Sequence, residues 1–128
     1  MIAVVVWPEN VAFIVDVATP KRMPYRDFPG TDVDAWIDQI RKVEGLQFDI
    51  FTPGHGAVGG KADAMAARIY MQKLRSQVLA GLKADKSVDD LARDVTMKEY
   101  SDWQQYKAWR ELNVRGMANY LNTGGKAK

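Results

Sequence analysis

Two runs of apolar, largely β-branched residues open the chain, Ile2 to Trp7 and Val11 to Val15, with only Pro8-Glu9-Asn10 between them. Runs of this length and composition on either side of a turn-forming triplet predict two short strands in a β-hairpin. Both are apolar almost throughout instead of alternating with polar residues. The hairpin is therefore expected to be covered on both faces or to lie against a partner. A chain that enters such a strand at Ile2 also leads us to expect a segment upstream of it.

The stretch from Val17 to Thr31 carries Pro20, Pro24, Pro29 and Gly30 and reads as a loop. Loops of about 15 residues are uncommon in compact domains and are often functional. Thr31 or Asp32 can N-cap a helix in which Val33, Trp36, Ile37, Ile40 and Val43 form one apolar stripe, with Gly45 at its end. Leu46 to Phe51 then reads as a strand. Strand, helix and strand make a β-α-β unit, which predicts a right-handed crossover and two parallel strands. A glycine-rich turn from Thr52 to Gly60 leads into a long helix over Ala62–Ala84, striped by Met65, Ile69, Leu74, Val78 and Leu82. Ser87 caps a short helix carrying Val88, Leu91 and Val95, with Asp90 at the capping-box position. A last helix is predicted over Tyr100–Leu121, with Trp103, Tyr106, Trp109 or Arg110, Asn113, Met117 and Tyr120 along one side. The fold class is mixed α/β with a helical C-terminal end.

The size suits one domain: 128 residues, 47% hydrophobic and 27% charged. Area scaling gives a folded surface of roughly 7,000 Å², about a third of that of the unfolded chain, so a real core is available. Eighteen Lys and Arg against 16 Asp and Glu leave +2, too little for a nucleic-acid surface by charge alone. No apolar stretch is long enough for a membrane span. The first residues lack the basic segment and cleavage site of a signal peptide, so a cytoplasmic location is the default expectation. The absence of Cys excludes disulfides, thiolate zinc sites and cysteine nucleophiles, and there is a single His.

That histidine stands in Pro53-Gly54-His55-Gly56, directly after the predicted third strand and before the long helix. Glycines on both sides let the backbone turn sharply and present an imidazole at a sheet edge, where open α/β folds bind ligands. So placed, His55 suits metal coordination or acid–base work, or else it fills the turn. Asp16 ends the second strand and is either a cap or a ligand. Parallel strands would bring Asp16 and His55 to one sheet edge, a donor pair that suits zinc. Lys21, Arg22, Tyr25 and Arg26 in the long loop could hold an anionic substrate, or form a solvated basic loop. Gly54 to Lys61 fails the phosphate-loop pattern, since Gly59 is followed by Gly60 and Lys61 by Ala62. Trp103, Tyr106 and Trp109 read as a packing stripe unless their rings are exposed.

The stretch from Val11 to Gly56, VAFIVDVATPKRMPYRDFPG followed by DAWIDQIRKVEGLQFDIFTPGHG, resembles the C-terminal half of metallo-β-lactamase-fold hydrolases. The helical tail with GLKADKSVDDL and WQQYKAWRELNV is similar to members of that superfamily too. The resemblance implies a partial αββα sandwich over residues 1–123, with 124–128 as a flexible tail. It also implies that Asp16 bridges two metal ions and that His55 binds one of them. The family's His-x-His-x-Asp-His motif requires more histidines than this chain has, and Val15 stands where a Gly usually precedes the bridging Asp. A catalytic zinc keeps about three protein ligands and a water. The single chain is therefore expected to hold at most an incomplete zinc site and not to be catalytic alone. An apolar sheet without its neighbours would pair with something, either the missing N-terminal half or a second copy in a homodimer. A non-catalytic dimerising scaffold or interaction module is the alternative function.

Overall fold

The computed structural model describes residues 2–15, 17–54 and 57–124. The hairpin forms from β1 (Ile2–Val6) and β2 (Val11–Val15), followed by α1 (Val33–Glu44), β3 (Ile50–Pro53) and β4 (Gly59–Gly60). Then come α2 (Lys61–Lys83), α3 (Val88–Asp94), a 3₁₀ turn at Lys98–Tyr100, and α4 (Tyr106–Asn122). The architecture is α/β: a small mixed sheet in the order β1-β2-β3-β4, with four α-helices among the described residues. β2 and β3 are parallel, as a β-α-β unit requires, and the β1–β2 and β3–β4 pairs are antiparallel. The accessible surface is 7204 Å², close to the value expected for a chain of this size.

The sheet has one covered face and one open face. Residues paired across strands share a face, so Ala12 and Phe51 lie on one side with Ile14 and Pro53. All four are buried, and Ala12, Ile14 and Phe51 share a single core with Ile37 and Ile40 of α1 and with Met71, Leu74 and Val78 of the α2 helix. α2 packs on β3 and β4, α1 packs on α2, and α4 closes against α2 and α3. The opposite face carries two cross-strand rows, Val4–Phe13–Thr52 and Val6–Val11–Ile50. Val4, Val6, Phe13 and Ile50 are 47, 50, 44 and 42% exposed. Among the described residues the hairpin is thus covered on one face only.

Several boundaries differ from the sequence expectation. The third strand begins at Ile50, not Leu46, because pairing with Val11 sets its start, and Phe48 instead packs edge-on to Phe51. The glycine-rich turn contains a short strand: Gly59 and Gly60 pair with Phe51 and Ile50. A Cβ at Gly59 would meet the Pro20 ring at 2.8 Å, so only glycine allows this approach. Asp32 is the N-cap of α1, its carboxylate accepting from Ala35 N–H at 3.1 Å, and Gly45 ends the helix in a right-handed conformation. Along α2 the buried stripe is Ala64, Tyr70, Met71, Leu74 and Val78, with Met65 44% exposed. Ser87 caps α3 as expected, accepting from Asp90 N–H at 3.1 Å. The predicted last helix is interrupted: Gln105 takes φ 66° immediately before α4, leaving Trp103 outside the helix.

Candidate functional site

Parallel β2 and β3 end at the same edge of the sheet, and there the structure opens a cavity of about 570 Å³. Val17, just past β2, and Gly54, just past β3, both line it. The site therefore lies at the C-terminal ends of parallel strands, the place where open α/β sheets take ligands. α1 contributes Trp36, whose indole N–H donates to Val17 O at 2.6 Å and whose ring meets Phe28 edge-on at 5.5 Å. α2 contributes Tyr70 to the floor, stacked among Tyr100 and Trp103 at centroid distances of 4.9 and 5.5 Å. Trp109 of α4 closes the other side, edge-on to Tyr25 at 5.3 Å.

The long loop is held over this cavity by α4 and by the segment just before it. Met23 N–H donates to Gln104 O at 2.9 Å, and Gln104 N–H donates to Lys21 O at 2.9 Å. Asn113, fully buried in an otherwise apolar stripe, is the central fastening. Its amide donates to Pro24 O at 3.0 Å and Arg26 O at 2.6 Å, while its carbonyl accepts from Tyr70 O–H at 2.8 Å. Burial pushes the Tyr70 hydroxyl far above the ordinary phenol range, so it stays a neutral donor. One turn on, Gly116 lets the loop come close: a Cβ there would lie 2.3 Å from Asp27 O. Lys21, Arg26 and Phe28 hold φ of 49°, 50° and 55°, left-handed conformations that non-glycine residues adopt only under such restraint.

Of the four loop residues singled out from sequence, Arg22 and Tyr25 line the cavity. Lys21 and Arg26 are exposed and lie off the wall, and the Arg26 guanidinium rests against the Tyr25 ring at 5.8 Å. Asp16 and His55 lie outside the described residues, although their chain neighbours Val17 and Gly54 are on the wall. Trp103 and Trp109, read as a packing stripe, are half-buried and line the cavity, whereas Tyr106 turns its hydroxyl to Thr96 O.

The donor set decides what these residues could hold. Among the described residues no group of three or more His, Cys, Asp or Glu converges, and no described residue of the wall is a carboxylate or imidazole. The described wall therefore offers no ligand of the kind a catalytic zinc takes. The wall fits an apolar, aromatic ligand better, with Arg22 as its one charged side chain among the described lining residues. Sequence reasoning missed Trp36 and Asn113. A polar Asn113 between apolar neighbours was the available signal for the second. No protein-family model and no curated protein matches the sequence.

Proposed function

We propose that the chain is a partial domain of the metallo-β-lactamase superfamily, related to zinc-dependent hydrolases, with a ligand cavity but no complete catalytic centre of its own. The observation that carries this reading is the asymmetry of the sheet. One face is sealed by α1 and α2, while Val4, Val6, Phe13 and Ile50 leave the other face apolar and open. A helix-backed sheet with an open apolar face is consistent with half of a four-layer sandwich, in which a second β-layer would cover it. Three strands of about five residues give that face an area of about 240 Å². Two copies meeting there would bury about 500 Å², below the roughly 1,000 Å² of a stable interface. This favours a larger second layer, such as the N-terminal half of the family's fold, over a face-to-face homodimer. The β1 edge, unpaired on its outer side among the described residues, supports the second reading, a scaffold that dimerises by continuing the sheet.

In this reading Asp16 and His55 remain the candidate zinc ligands and form an incomplete site. Native mass spectrometry of the untagged chain, purified without chelator and titrated with zinc, tests it. The reading expects weak zinc uptake that falls on His55→Ala or Asp16→Ala while folding stays normal. Two tightly held zinc ions per chain, with hydrolysis of a test ester, would overturn the half-site. Zinc uptake unchanged in both variants would remove these two residues from the ligand set.

A further inference from the structure

We infer that the cavity binds a small aromatic monocarboxylate, its ring between the Trp36 and Trp109 sides and its carboxylate on Arg22. The inference rests on the cavity wall and not on the family reading. At about 570 Å³ the cavity is within the range of small-molecule sites, and its largely apolar wall carries several aromatic rings, including Tyr25, Trp36, Trp103 and Trp109.

Arg22 supplies the polarity. Its backbone is fixed by the flanking hydrogen bonds of Lys21 and Met23 with Gln104, and its guanidinium lies 5.2 Å from the centre of the Trp109 ring. Arg41, Arg68, Arg75, Arg93 and Arg115 pair with carboxylates, and Arg110 donates to the carbonyls of Ala92 and Val95. Arg26 bonds Tyr25. Arg22 is the one arginine among the described lining residues, and its side chain makes neither a hydrogen bond nor an ion pair. A planar fork at the wall of an otherwise apolar cavity suits a carboxylate, which it can grip with two parallel N–H donors. A cationic ligand would meet like charge. A neutral one would cover the guanidinium without replacing its water. A phosphate dianion calls for more positive charge than one arginine, and the nearby α1 N-terminus is already occupied by Asp32 and followed by Asp34.

Calorimetric titration of the whole chain with 2-naphthoate, 2-naphthamide and 2-naphthylmethylammonium tests the inference without any substitution. The acid is expected to bind about tenfold or more tightly than the amide, and the cation least. Arg22→Gln, checked for folding by circular dichroism, is expected to bring acid and amide to equal affinity. In an amide-correlation NMR spectrum the indole N–H signals of Trp36, Trp103 and Trp109 should move on adding naphthoate, while that of Trp7, 61% exposed at the hairpin turn, stays put. Equal binding of acid and amide, no binding of either, naphthoate affinity unchanged in Arg22→Gln, or a shift at Trp7 alone would each overturn it.

Discussion

Asn113→Ala is the most informative single change to the cavity. The amide makes three hydrogen bonds at once, to Pro24 O, Arg26 O and Tyr70 O–H, from a side chain with no exposed surface. Each is worth about 1 kcal/mol net, which gives about 3 kcal/mol for the set. The Tyr70 hydroxyl is left without a partner inside the core, where solvent cannot replace the bond. The two loop carbonyls can find water once the loop lifts, so their loss is the smaller part. Relaxation of the left-handed residues Arg26 and Phe28 offsets some of the cost. At about 2.1 cal/mol/K per residue, 3 kcal/mol in a chain of this length lowers Tm by about 11 °C. Urea unfolding measures the stability, and hydrogen exchange measures the loop, with the Met23 amide as reporter because it is bonded to Gln104 O. The loop amides should exchange faster than the change in global stability accounts for. A loss below about 1 kcal/mol, or a destabilised protein whose Met23 amide exchanges only by global unfolding, would refute the claim that Asn113 fastens the loop.

Gly116→Ala should cost about 1–3 kcal/mol and displace the same loop, because the added methyl would face the Asp27 backbone and not a side chain that can swing away. Crystallography or the same exchange experiment reads the displacement, and an unmoved loop at full stability contradicts it. The Tyr120 hydroxyl is pushed up to about 12, chiefly by burial; the Asp34 N–H that donates to it opposes the rise, and the Asp32 and Asp34 carboxylates that share its proton add to it. Its folded value lies above the unfolded value of about 10, so its contribution is complete below that pH and is lost as pH rises toward 12. Urea midpoints between pH 8 and 12 should therefore fall less steeply in Tyr120→Phe than in the parent, and equal slopes would contradict the assignment.

The β-α-β frame was readable because α1 repeats its apolar residues with a helical period and the hairpin is dense in β-branched ones. The start of β3 was not, since it depends on which residue faces Val11, a long-range pairing that Leu46-Gln47-Phe48 does not encode locally. The break at Gln105 escaped for a similar reason: glutamine gives no warning of a left-handed conformation. In the site, the sequence placed Lys21, Arg22, Tyr25 and Arg26 in one loop but could not separate them. Positive φ at Lys21 and Arg26 accompanies the separation, with only Arg22 and Tyr25 on the cavity. Trp103 and Trp109 do pack against the core, as their spacing suggested, and they line the cavity as well, a second role that spacing alone does not show.

The open sheet face is the centre of this account, and sedimentation equilibrium tests it most directly. The chain should associate weakly and reversibly with rising concentration. Phe13→Thr/Ile50→Thr, which keeps β propensity but removes apolar surface from residues 44 and 42% exposed, should abolish that association with little loss of Tm. A tight dimer that persists at low concentration, or a double variant that associates as before, would contradict the claim that this face awaits a larger second layer.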